Sequence, residues 1–336
     1  MSEPNHRIHF SLHSTRVALL ALLLLPAIAS SAQAPSSTSS DMASRPTQPT
    51  LVRIENVVHV VGLDDKPGDT GYLTFDEKVM TLNIHGHSTA IPLHSILAFS
   101  IAHDDKSLIR GIKGQLAEAA PYGVGAVITS IRPSTDVLTV FYKDAERAVR
   151  GCVLVLPKDT GKGVVSALAR AGLSPMDYPK AGNLTTSEAQ RDSETHVAPI
   201  PTPAKPSIEV ALPSETADGI PPAFVAAVFE DLIKQLAQSG LFSNVWRAGD
   251  IRATQGTLVL HMDIENWKKG SARQRGLVPF TGATVIKTRI TLVGAPGRTV
   301  FQGEVDGAKR TKGESLDVTN SLAKHVRKAL EKAPGL

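Results

Sequence analysis

Cysteine is almost missing from this sequence: Cys152 is the only one in 336 residues. No intramolecular disulfide can form, and there is no CxxC pair or cysteine-rich metal site. Cys152 stands inside the apolar run G-C-V-L-V-L, which reads as a buried structural thiol. Aromatic residues make up only 4% of the chain, so the cores must be built from Val, Leu, Ile and Ala. That scarcity argues against an aromatic-lined groove for sugars or nucleic acid. The net charge of +4 is scattered, whereas a phosphate-backbone binder needs a clustered basic face. No nucleic-acid partner is therefore expected. A Ser-His-Asp or paired-carboxylate motif is not visible either, although triads are dispersed in sequence and spacing alone does not decide that point. The expectation is a protein that is not an enzyme and has no cofactor.

The longest apolar run is also short. Val17–Ala29 (V-A-L-L-A-L-L-L-L-P-A-I-A) has the length of a secretory h-region, about 7–15 residues, and not of a membrane span, about 20. Arg7 and Arg16 precede it. Small-residue cleavage sites follow at Ala27-Ile28-Ala29 and at Ser30-Ser31-Ala32. Residues 1–29 are read as a signal peptide, and its removal takes two arginines and one glutamate and leaves +3. The expected location is periplasmic or secreted, with an uncleaved inner-membrane signal anchor as the alternative. No cysteine lies near these sites, so no covalent lipid anchor is expected. Residues 30–50 form a Ser/Thr/Pro-rich disordered leader.

Residues 174–206 have prolines at 175, 179, 199, 201, 203 and 206 and no apolar period. Such a stretch buries too little apolar surface to offset its ordering entropy, and is read as a disordered linker. It separates two segments of domain size, 51–173 and 207–333, expected to be tethered.

The first segment reads as short strands: Val57–Val61, Tyr72–Phe75, Val79–Ile84, Thr89–Leu93, Ser95–Ile101, Gly125–Ile131, Val137–Tyr142 and Gly151–Leu156. A helix capped by Asp159 or Thr160 follows, with Val164, Val165, Leu168 and Ala171 on one face and Gly172 at its C′ position. About seven strands and a final helix, with the phrases G-Y-L-T-F, I-P-L-H-S-I and V-L-T-V-F-Y-K-D, resemble bacterial PH-like or GRAM-like domains. That resemblance implies a bent β-barrel or sandwich plugged at one end by the helix. The loop from His103 to Gly123 contains G-I-K-G and P-Y-G-V-G, but these glycines do not sit between a strand and a helix as a phosphate cradle requires.

The second segment opens with an alternating strand, Ser207–Leu212. Pro221 and Pro222 suit the first turn of a helix. Phe224, Val225, Val228, Phe229, Leu232, Ile233 and Leu236 repeat at three and four, with Glu230, Asp231, Lys234, Gln235 and Gln238 expected on the solvent face. A short strand follows in Leu241–Trp246, then amphipathic strands in Thr257–Trp267, Thr284–Val293 and Thr299–Arg310, and a closing helix with Leu316, Val318, Leu322, Val326 and Leu330. One wet and one dry face per strand predicts a two-layer α/β sandwich of order β-α-β-β-β-β-α. The whole chain is thus α+β. The phrases S-G-L-F-S-N-V at 239–245 and N-W-K-K-G-S-A-R-Q-R-G-L-V-P-F-T-G-A at 266–283 carry a second resemblance. It is to a bacterial envelope domain family of unknown function, often on lipoproteins and related to the TolB N-terminal domain and to CsgG.

The hairpin around 267–282 is the most distinctive surface in the sequence. It joins Trp267 and Phe280 to Lys268, Lys269, Arg273 and Arg275, a set suited to an acidic partner surface or anionic envelope polymer. A solvated basic hairpin whose aromatics pack at the sheet end is the plainer reading. The function expected is an exported, non-enzymatic interaction or assembly protein with envelope-protein partners, and peripheral membrane contact is left open. The alternative is a PH-like module holding a lipid headgroup or peptide. A third reading, a metal-dependent hydrolase, would use the cluster His85, His87, His94 and His103.

Overall fold

A computed structural model describes residues 52–104, 135–179, 205–215, 219–254, 256–268, 284–295, 297–309, 316–333 and 336. The fold is mixed α+β, mostly antiparallel, with two sheets, three α-helices and one short 3-10 helix among these residues.

The first sheet contains β1 (Val52–Val61), β2 (Thr70–Phe75), β3 (Val79–Ile84), β4 (His87–Pro92), β5 (Ile96–Asp104), β6 (Thr135–Lys143) and β7 (Val149–Leu156) in the order β4-β3-β2-β1-β7-β6-β5. The path is open: the two edges, β4 and β5, are not paired to each other, so the sheet is not a closed barrel. Strand β1 starts at Val52, five residues before its expected start, because a bulge between Ile54 and Val57 interrupts its apolar pattern. Residues 125–131, expected as a strand, lie outside the described residues.

Helix α1 (Gly161–Arg170) follows β7 and buries Val164, Ala167 and Leu168. Gly172 occupies the left-handed position at its end, as expected. Its N-terminal cap differs from the expectation. Thr160 stands at the N-cap position, as one of the two expected residues, but its side chain makes no cap hydrogen bond; Asp159 is left-handed (φ 63°), and the carboxylate of Asp136 on β6 accepts the Gly161 N–H at 2.7 Å. A buried acid 25 residues upstream does what the local sequence was expected to do.

The second sheet contains β8 (Ile208–Val210), β9 (Ser214–Glu215), β10 (Val245–Arg247), β11 (Leu258–Lys268), β12 (Thr284–Gly294) and β13 (Arg298–Lys309), ordered β10-β8-β11-β12-β13 with β9 beside β11. Parallel pairing joins β10 to β8 and β8 to β11; the two long hairpins are antiparallel. Helices α2 (Pro222–Ser239) and α3 (Asp317–Glu331) cover one face. Alternation is clean: Leu260, Met262 and Ile264 are buried, opposite Ile290 and Leu292 of β12.

Helix α2 departs from its expected one-sided burial. Ala223 through Glu230 are all buried, together with Leu232, Gln235 and Leu236. The reason is that α2 packs against both sheets. Val137 and Phe141 of β6 and Val149, Val153 and Val155 of β7 join the same apolar core as α2, β11, β12 and α3. The other faces of β6 and β7 (Leu138, Val140, Cys152, Leu154 and Leu156) belong to a second core with Val164 and Leu168 of α1. Strands covered on both faces become continuous apolar runs, which accounts for C-V-L-V-L. The segments read from sequence as tethered domains thus fall within one compact unit, Gln48–Leu336. The start of the expected linker is packed too. Met176 N donates to Phe99 O, and the Tyr178 hydroxyl donates to Ile220 O at the entry of α2.

Candidate functional site

A cleft of about 440 Å³ opens where the β1–β2 loop, α2, the start of β7, the end of β10 and the start of α3 converge. A break in the β1–β7 ladder creates it. The register shifts between His59 and Val61, and Gly62 turns the chain outward with φ 95°. A Cβ on Gly62 would stand 1.6 Å from Gly151 O, so only glycine fits this approach. Gly151 is constrained from its other side, where an added Cβ would meet Ala226 Cβ of α2 at 3.0 Å.

Glu230 of α2 reaches into the broken ladder. Its Oε1 accepts the Gly151 N–H at 2.9 Å, and its two oxygens take a bidentate fork from Arg247 of β10 at 2.6 and 2.7 Å. One carboxylate therefore ties the first sheet to the second through α2. Such a planar fork is a strong form of charge-assisted bond. Around it, Arg150 donates from Nε to Asp144 at 2.7 Å. Two main-chain bonds also cross between the sheets, Val149 N to Ala248 O and Ile251 N to Glu146 O.

Two titratable groups in the cleft are moved from their ordinary range in opposite senses. Burial pushes Asp231 up to about 6, against the hydrogen bond that Thr319 of α3 offers to its Oδ2. Burial lowers His59, which is 1% exposed. Its neutral ring suits its neighbours: Nδ1 faces Lys66 O and Nε2 accepts the Leu63 N–H, both at 3.3 Å. His59 thereby fastens the β1–β2 loop from behind. Cys152 is fully buried and its thiol is pushed up by desolvation, so it offers no ready nucleophile.

Of the six residues singled out around the hairpin, Lys269, Arg273, Arg275 and Phe280 lie outside the described residues. Trp267 is half-buried near the end of β11, where a register shift after Ile264 turns it against Phe224 of α2, ring centroids 5.7 Å apart and edge-on. Lys268 is exposed beside it. The four histidines are dispersed. His85 sits in the β3–β4 turn with φ 48°, 3.7 Å from Asp69; His87 begins β4; His94 is exposed in the turn before β5. His103 is mostly exposed and 2.7 Å from buried Asp136. Among the described residues no three His, Cys, Asp or Glu come together to hold a metal ion. The cleft itself was not found from sequence. Its key pair, Gly151 and Glu230, is 79 residues apart, and a charged residue on an amphipathic helix reads as solvent-facing.

The architecture defines a mixed α+β protein whose two sheets share a helix. Residues 210–329, from the end of β8 into the last turn of α3, match the model of a family described as Domain of unknown function (DUF4410), which makes this C-terminal part a domain of unknown function. Solved structures similar to part of the chain include two dodecamers. One is a dodecamer of a PelC variant from Paraburkholderia phytofirmans, 17% identical over 39% of this chain and 93% of that one, with a TM-score of 0.30. The other is a PelC dodecamer from the same organism, 16% identical over 39% and 89%, with a TM-score of 0.28. No curated protein matches.

Proposed function

We propose that this is an exported, non-enzymatic interaction or assembly protein of the cell envelope, built as a rigid two-sheet platform. The observation that carries the reading is the Glu230 bridge, which binds Gly151 of the first sheet and Arg247 of the second at once. The buried Glu230–Arg247 pair is committed to joining sheets. That is what a platform needs in order to hold distant surfaces in fixed relation. The seven strands followed by α1 support reading the first sheet as a PH-like module, and the second sheet as a relative of the TolB N-terminal and CsgG domains. Export is supported by Val17–Ala29 and its following small-residue sites. The partner-facing surface is the basic hairpin that begins at Trp267 and Lys268, and it docks an envelope protein.

The test combines fractionation of cells producing the full chain, tagged at its C-terminus, with the mass of the product. Recovery in osmotic-shock fluid with residues 1–29 or 1–32 removed is expected; full-length protein in the cytosol overturns export. In the same cells, changing Lys268, Lys269, Arg273 and Arg275 to Ser should remove in-cell crosslinks to an envelope protein without changing the thermal midpoint. Persistence of the crosslinks overturns the docking surface.

A further inference from the structure

The cleft carries a charge pattern that the sheet-joining bridge does not use. Glu230 is held by Arg247 and Gly151, and half-buried Asp231 is held by Thr319. Three other lining groups have no such commitment, and a fourth is committed only in part. On the loop wall, Asp64 and Asp65 make no hydrogen bond or ion pair with any described residue. On the α2–β7 wall, Lys234 is exposed and makes no hydrogen bond or close ion pair with a described residue, although its charge also reaches Asp231. Arg150 spends its Nε on Asp144, and its terminal amino groups have no partner there. Val61 and Ile233 supply apolar surface between these walls.

The acidic wall is also pre-set. Its loop is pinned by His59 N to Asp69 O at 2.9 Å, Gly68 N to His59 O at 2.8 Å, and Lys66 N to the Asp69 carboxylate at 3.2 Å. The His59 ring adds its two contacts from beneath. A ligand meeting Asp64 and Asp65 therefore pays little to order them. The volume of about 440 Å³ falls in the usual range of small-ligand sites, roughly 300–1,000 Å³.

We propose that this cleft binds a small dipolar ligand, with an ammonium group at Asp64 and Asp65, a carboxylate at Arg150 and Lys234, and an apolar body over Val61 and Ile233. An unblocked short peptide and a free amino acid share this chemistry, and the two differ in the distance between their charges. The site goes beyond the interaction reading above and does not depend on the basic hairpin.

The experiment is calorimetric titration of the full chain with unblocked trialanine and trileucine, their N-acetylated and C-amidated forms, and free alanine and leucine. Saturable binding of an unblocked tripeptide or a free amino acid is expected, the stronger of the two naming the source. Blocking either end should weaken it at least tenfold. In the pair Asp64→Asn with Asp65→Asn, N-acetylation should no longer matter. In Lys234→Met, the loss on C-amidation should shrink severalfold. Asp64 and Lys234 are exposed and Asp65 is half-buried, and an unchanged thermal midpoint verifies that each variant is folded. Absence of saturable binding by all the unblocked compounds overturns the proposal, as does an affinity indifferent to blocking or to the substitutions.

Discussion

Helices α2 and α3 lie on the same sheet and follow the same three-and-four apolar spacing, yet they are buried in different ways. Helix α3 hides one stripe, Val318, Thr319, Leu322, Ala323, Val326 and Leu330, and leaves Lys324, His325 and Lys328 in solvent. Helix α2 is enclosed through its first eight buried positions because the first sheet covers the side that α3 leaves open. The difference was present in composition. A-F-V-A-A-V-F is an unbroken run, and a helix that is apolar around its circumference belongs inside. Small residues at 226 and 227 let the helix approach β7 closely, where Gly151 offers no side chain.

Breaking the comparison should be most costly at Glu230. Glu230→Ala strands Arg247 and the Gly151 N–H, and should cost about 3–5 kcal/mol. Lys324→Ala on the open face of α3 should stay within about 0.5 kcal/mol. Urea denaturation of the two variants checks the contrast; similar losses would mean that α2 is not a shared helix. Next in size, Gly151→Ala forces a methyl against Ala226 and should cost about 1–3 kcal/mol by overpacking.

Smaller effects come from pH. Asp231 titrates higher in the folded protein, at about 6, than in the unfolded chain. The stability it contributes is full below about pH 4 and is lost as pH rises through 6. Relative to Asp231→Asn, the natural protein should therefore lose about 2–3 kcal/mol between pH 4 and pH 7. His59 has the opposite sign. Its folded pKa is lowered, so its contribution is present above the ordinary histidine range and falls away on acidification. His59→Asn should flatten that acid limb. Denaturation curves of both variants across this range separate the two slopes.

What could be read from sequence was whatever repeats locally. Strands β11, β12 and β13 follow from strict alternation, α3 from its stripe, and Gly172 from the left-handed end it supplies. The mixed α+β class followed from these. The cleft was not legible, because every element of it is a long-range event. The Gly62 turn matters only because Gly151 O lies beneath it. Glu230 sits on what looks like a wet helix face until a second sheet covers that face. Asp136 caps a helix that begins far along the chain. Polar side chains drawn into a core by a partner element leave no periodic trace. The basic hairpin was legible as composition, but only Trp267 and Lys268 of it fall among the described residues.

The single thiol gives the molecule an internal clock. Cys152 is wholly buried on β7, one of the strands that both cores share, with α1 over its own side and α2 over the other. A maleimide or disulfide reagent can reach it only after β7 separates from that packing. The rate at which the native protein is labelled is therefore the rate, or the equilibrium fraction, of opening at the junction of the two sheets. With no second cysteine to confuse the signal, the unmodified sequence is already equipped to time its own coming apart.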